Sequence, residues 1–162
     1  MNNLSFHITD ITANSIRANA SEIGLSVEEQ DARIVIRITD NGSGMDAETA
    51  RRVTNPFYTT RTTRKVGLGL PFLIQNAEQT GGSVTLTSEP GKGTDVRAVF
   101  HSDHIDCPPW GDLPGTVALL ITGNPKINVC FEYRSGETGY SISTNEIKEI
   151  LDGVPLSHPK VM

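Results

Sequence analysis

The chain has little of what several protein classes require. Only two of its 162 residues are cysteine, Cys107 and Cys130. They are far apart and form no Cys-x-x-Cys pair, so no zinc site is expected and no disulfide is implied. No apolar run approaches the roughly 18 residues of a membrane span. Met1-Asn-Asn-Leu-Ser-Phe-His7 has neither the basic region nor the apolar stretch of a secretion signal. A cytoplasmic protein is therefore expected. Excess positive charge is missing too. The formal net charge is −5, which argues against broad binding to nucleic acid or to a membrane surface. There is no internal repeat and no low-complexity tract.

What is present fits a globular chain. Hydrophobic residues make up 36% and charged residues 20%, and the length suits one domain or one domain with a small appendage. The charge is uneven. Residues 1–101 hold 11 acids and 10 bases, whereas residues 102–162 hold 8 acids and 4 bases. The first part is nearly neutral and can receive a polyphosphate; the second is acidic.

Periodicity predicts a helix from Leu4 to Ser21, with Leu4, Ile8 and Ile11 on one face. Strands are expected at 23–28 and 32–39, joined by the polar turn Glu29-Gln-Asp31; Ile34, Ile36 and Ile38 alternate along the second. Asp46 is placed to cap a short helix, 47–53. Residues 55–66 read as a loop. A second long helix, 68–80, carries Pro71 in its first turn, points Leu70, Leu73, Ile74 and Ala77 inward, and ends at Gly81-Gly82. Residues 83–88 and 94–100 read as a hairpin across Glu89-Pro-Gly-Lys-Gly93. The composition changes near His101. The expected division is a first domain, 1–101, a Pro/Gly-rich connector, 102–115, and a small α/β extension, 116–162. Within the extension, strands are expected at 117–122, 128–134 and 139–142, then a helix, 144–152, with Ser143 or Thr144 as its cap.

Four short motifs fall in order along the first hundred residues: Asp10-Ile-Thr-Ala-Asn14, Asp40-Asn-Gly42-Ser-Gly44-Met45, Gly67-Leu68-Gly69-Leu70, and Gly91-Lys-Gly93-Thr94. Asp10, Asn14 and Arg17 share one helix face at i, i+4 and i+7. A carboxylate, a neutral amide oxygen and a cation on one stripe suit Mg²⁺ and a triphosphate, and Mg²⁺ takes few protein ligands. Asp40 ends an apolar strand. Its carboxylate can accept from an amino group of a purine, while Gly42 and Gly44 let the backbone approach the ring. Gly67 and Gly69 open a helix whose free N–H groups hold anions, and Arg61, Arg64 and Lys65 just upstream can cover phosphates. Thr94 can bring a hydroxyl near Asp40. Read singly, each motif is as well explained by a polar helix face, a turn after a strand, or an ordinary hairpin.

Together the motifs resemble the GHKL ATPase superfamily of gyrase, heat-shock chaperone, histidine kinase and mismatch-repair ATPases. Asp10 and Asn14 fall on its N box, Asp40, Gly42 and Gly44 on the G1 box, Gly67 and Gly69 on the G2 box, and Gly91, Gly93 and Thr94 on the G3 element. Asn55-Pro-Phe57-Tyr-Thr-Thr-Arg61 resembles the F box of sensor histidine kinases. The resemblance covers about residues 4–101. It implies an α+β fold, a two-layer Bergerat-type sandwich with a mixed sheet covered by helices on one face. It also implies ATP and Mg²⁺ as cofactors, with Asn14 on Mg²⁺, Arg17 on phosphate, Asp40 on adenine, and Met45, Phe57, Leu68 and Leu70 around the nucleotide. Asp10 is the implied catalytic residue, although the family usually carries Glu there. Lys65-Val66 stands where Gly-Thr often precedes the G2 glycines.

Only a few residues precede the N-box helix here, so the helical hairpin with its phosphoacceptor histidine is not expected in this chain. His7 reads as a surface or packing residue. The expected activity is that of an ATPase, or of a kinase acting on a separate protein. The alternative is a nucleotide-gated regulatory module with little hydrolysis, in the manner of anti-sigma-factor kinases. The whole chain is also similar to a small group of stand-alone bacterial histidine-kinase-like proteins associated with hydrogenase or NADH-oxidoreductase gene clusters. Its tail completes the sheet, caps an exposed face, or binds a partner. Trp110, the only tryptophan, is placed to anchor the tail to the core.

Overall fold

The computed structural model describes residues 3–54 and 69–151, the side chain of Leu151 excepted. The elements run α1 (Leu4–Arg17), β1 (Glu22–Gln30), β2 (Arg33–Asp40), α2 (Ala47–Thr54), α3 (Gly69–Gln79), β3 (Ser83–Glu89), β4 (Gly93–His101), α4 (Leu113–Gly123), β5 (Asn128–Ser135), β6 (Thr138–Ser143) and α5 (Thr144–Leu151). The strands form one mixed sheet in the order β3-β4-β2-β1-β5-β6. All neighbours are antiparallel except β1 and β5, which are parallel.

Strand alternation sorts the sheet into two faces. Ile23, Leu25, Val27, Ile34, Ile36, Ile38, Val96 and Ala98 are buried on one face, with Val129 and Phe131 extending it onto β5. Leu4, Ile8 and Ile11 of α1, Leu70, Leu73 and Ala77 of α3, and Val117, Leu120 and Ile121 of α4 close over them in a single core. Apart from the Val35–Val99 pair, the other face of β2 and β4 is polar: Arg37, beside Thr39 and opposite Arg97 on β4, pairs with Asp95. An antiparallel sheet can face water on one side in this way. The chain is thus the two-layer α+β sandwich, and its last third lies in the same sheet as the first.

Several expected boundaries move, each for a local reason. The first helix stops at Arg17 rather than Ser21, because Asn19 turns left-handed at φ 62°. The Asn19 and Ala20 N–H groups then donate back to Ile16 and Ser15 at 3.0 and 3.2 Å, a Schellman termination. The β1–β2 turn is Asp31-Ala32, with both residues at positive φ, the geometry that matches strand twist in a two-residue hairpin; Glu29 is still in the strand. Ile74 is only half-buried. The largest revision is 117–122, which is helical. Asp112 accepts from Gly115 N–H at 3.0 Å and Pro114 sits in the first turn of α4. Val117, Leu120 and Ile121 then share one face, so a run that looks strand-like by composition follows helical spacing.

Candidate functional site

The cleft lies where the C-terminal half of α1 faces the ends of β2 and β4. It encloses about 440 Å³ and opens to solvent, a size suited to a small-molecule ligand. Ile11, Ile38, Leu70 and Val96 give it apolar walls, and Asn14, Ser15, Arg17, Asp40, Ser43 and Thr94 supply polar groups. Sequence distance is bridged by register, since Asp40 and Thr94 are direct cross-strand partners.

Asp40 is held from two sides. Ser15 Oγ donates to Oδ2 at 2.6 Å and the Gly42 N–H donates to Oδ1 at 2.9 Å. Each carboxylate oxygen keeps a further lone pair for a donor in the cleft. Ser15 is 2% exposed, so it is part of the wall, not a mobile surface hydroxyl. Thr94 Oγ1 lies 2.9 Å from Ser88 Oγ, which accepts from the Met45 N–H at 2.8 Å. That links the loop after β2 to the β3–β4 hairpin.

Two glycines permit this closure. Gly44 has φ 70° and a Cβ there would stand 1.9 Å from the Glu89 carbonyl; a Cβ at Gly93, φ 129°, would stand 1.9 Å from the Asp40 carbonyl. Neither gap admits a side chain, so the spacing of the motifs reflects backbone packing as much as ligand approach.

On α1, Arg17 donates to the Asn14 side-chain oxygen. The oxygen with the chemistry for a hard cation is therefore engaged by the cation that can meet phosphate. Asp10, one turn earlier, is half-buried against the start of α3: a Cβ on Gly69 would lie 3.2 Å from its Oδ2. Burial pushes the Asp10 pKa up, and Arg17 opposes that shift. A raised pKa makes the carboxylate a better proton acceptor at neutral pH.

Of the residues singled out from sequence, Asn14, Arg17, Asp40, Gly44, Met45, Leu70 and Thr94 line the cleft. Gly42 packs beneath it against Ala18, and Asp10 and Gly69 meet beside it. Phe57, Arg61, Arg64, Lys65, Gly67 and Leu68 lie outside the described residues. Sequence reasoning missed Ser15, Ser43 and Ser88. Ser15 was legible as the residue after Asn14, but its bond to Asp40 spans 25 positions and needs the fold. His7 is a packing residue, 1% exposed between Phe72 and Phe100, with Nε2 2.7 Å from the Asn76 amide nitrogen. Both cysteines are free. Among the described residues no helix is long and apolar enough to cross a membrane.

A helix face bearing Asp and Asn, opposed to a strand-end Asp and a hairpin Thr, defines the class. Residues 3–104 match the family described as histidine kinase-, DNA gyrase B-, and HSP90-like ATPases, and the chain belongs to that family. It is 29% identical to the sensor histidine kinase YxdK of Bacillus subtilis, over 60% of this chain and 32% of that one. It is 30% identical to sporulation kinase C of the same organism, over 61% and 23%. The chain therefore spans a third or less of these relatives. Among solved structures, the N-terminal domain of a DNA repair protein superposes with a TM-score of 0.56 at 18% identity, covering 87% of this chain and 51% of that one. That likeness concerns the fold, and its extent takes in elements beyond residue 104.

Proposed function

We propose that the chain binds Mg-ATP in this cleft and acts as an ATPase or as a kinase on a separate protein. The observation that carries the reading is Asp40. Its carboxylate is fixed by Ser15 and Gly42 at an apolar wall, with a strand-partner threonine beside it. In this reading Asp40 accepts from the adenine amino group. Asn14 holds Mg²⁺ once phosphate draws Arg17 away, and Asp10 orients or deprotonates the attacking hydroxyl or water. Mg²⁺ would supply charge neutralisation on the phosphates, which together with positioning is most of what phosphoryl transfer needs.

The histidines favour an acceptor supplied in trans. Among the described residues His7 is buried, His101 pairs with Arg33 at the end of β2 remote from Asp40, and the exposed His104 follows in the turn after β4 at that same remote end. Subunits of hydrogenase or NADH-oxidoreductase systems, which the sequence resemblance suggests, are the first partners to try.

A second reading, a nucleotide-gated module with little turnover, is favoured by one feature. Asp10 is a methylene shorter than the usual Glu, and its carboxylate rests against Gly69.

Calorimetric titration with Mg-ATP, together with phosphate release, separates these. The parent is expected to bind, and Asp40→Asn to bind at least about tenfold more weakly, the loss of one hydrogen bond to a charged group. Asp10→Ala is expected to bind normally and lose turnover. Unchanged turnover in Asp10→Ala rejects its catalytic role, and a parent that binds Mg-ATP but releases next to no phosphate leaves the gating reading. A well-folded parent that binds no nucleotide overturns both.

A further inference from the structure

The N-terminus of α1 is held by a segment outside the family match. The first N–H groups of a helix have no partner within it. Here the Leu4 N–H donates to the Pro109 carbonyl at 2.8 Å, and the Ser5 N–H and Oγ both donate to the Trp110 carbonyl, at 3.0 and 2.6 Å. Asn3 caps the Phe6 N–H at 2.7 Å, and Gly111 packs directly on the Asn3 amide.

This segment is itself clamped. Trp110 Nε1 donates to Glu29 Oε1 at 2.6 Å, and the Tyr133 hydroxyl donates to the other oxygen of the same carboxylate. Glu29 stands near the end of β1 remote from Asp40, and Tyr133 on the neighbouring β5. One carboxylate thus joins the first strand, the connector and the C-terminal extension. At its other end α1 meets the cleft loop: the Ser43 N–H donates to the Ala18 carbonyl at 2.9 Å, and Ser15 holds Asp40. About 15 Å of helix separates Ser5 from Ser15, and α4 packs along α1. The helix bearing Asp10, Asn14, Ser15 and Arg17 is gripped at both ends, and the far grip belongs to the tail.

We propose that Trp110 and Glu29 are positioning residues for nucleotide binding: residues 107–111, held by Glu29, set the seat of α1 and so couple the C-terminal extension to the cleft. The proposal rests on the cleft being a nucleotide site. Coupling of this kind is reciprocal, so nucleotide in the cleft must be felt at the clamp.

The test titrates the full chain with a nonhydrolysable Mg-ATP analogue. Glu29→Ala is expected to weaken binding about fivefold or more. Glu29→Gln, which keeps an acceptor for the indole and a donor for the Tyr133 oxygen, is expected to restore most of it. A folded Glu29→Ala that binds like the parent overturns the proposal, even if it is less stable, because that is the signature of a merely structural bond. Should Glu29→Ala fail to fold, the emission of the single tryptophan in the parent decides. It shifts on saturation with the analogue if the coupling exists, and an unchanged spectrum at saturation overturns it. A parent that binds nothing overturns the cleft reading itself, and this proposal with it.

Discussion

Ser15 shows how one hydroxyl makes a neighbouring carboxylate useful. Its bond to Asp40 is short and buried, and it stops the carboxylate from rotating away from the cleft. Replacing it with alanine leaves the Gly42 N–H as the remaining hydrogen-bond donor to Asp40 among the described residues. Under the proposed function, Ser15→Ala is expected to raise the dissociation constant for ATP about tenfold, the worth of a hydrogen bond to a charged group. Binding of a purine triphosphate without the exocyclic amine should change less, and calorimetry with both nucleotides checks the difference.

His7 makes a pH prediction at the same scale. Burial lowers its pKa from 6.5 to about 4, and among the described residues Nδ1 has no hydrogen-bond partner. The folded state therefore prefers the neutral ring. The stability this confers is fully present above pH 6.5 and is lost as the pH falls toward 4. The linkage amounts to about 3 kcal/mol over that window. Urea unfolding at several pH values should show the slope, and His7→Leu should remove that part of it.

Elements were legible where a cap agreed with the periodicity. Asp46 does cap α2, accepting from the Thr49 N–H at 2.7 Å, and Ser143 accepts from the Glu146 N–H at the start of α5. The alternation of β2 announced its buried face. Where a short apolar run stood alone, composition misled: Val117–Thr122 is as apolar as a core strand, and only Asp112 and Pro114 upstream mark it as helical. Asp112→Ala is expected to cost about 1 kcal/mol, the usual worth of such a cap. Chemical denaturation would measure it, and no loss would mean that packing alone holds α4. The end of α1 was misjudged for a related reason. Nothing in the periodicity reveals that Asn19 adopts a left-handed conformation, yet that turn brings Ala18 under Gly42.

For the whole molecule the main finding is continuity. β5 lies parallel to β1 over eight residue pairs, and Phe131 and Val129 enter the same core as Ile23 and Leu25. The extension is part of the layer that supports the cleft. Phe131→Ala is expected to destabilise the entire chain by about 3–5 kcal/mol, with one cooperative transition by both near- and far-ultraviolet circular dichroism. A separate early transition confined to the tail would contradict that continuity.

The sequence by itself determined the family and the chemistry of the motifs. Residue type and short spacing are enough to put Asp, Asn and Arg on one helix face, or two glycines after a strand-end carboxylate, because those relations lie within one element. Only the tertiary structure decided what those groups touch. Ser15 meets Asp40 across 25 residues, Trp110 meets Glu29 across 81, and Tyr133 meets the same carboxylate across 104. Such contacts depend on strand order and on how a helix sits over a sheet, and no local periodicity encodes either.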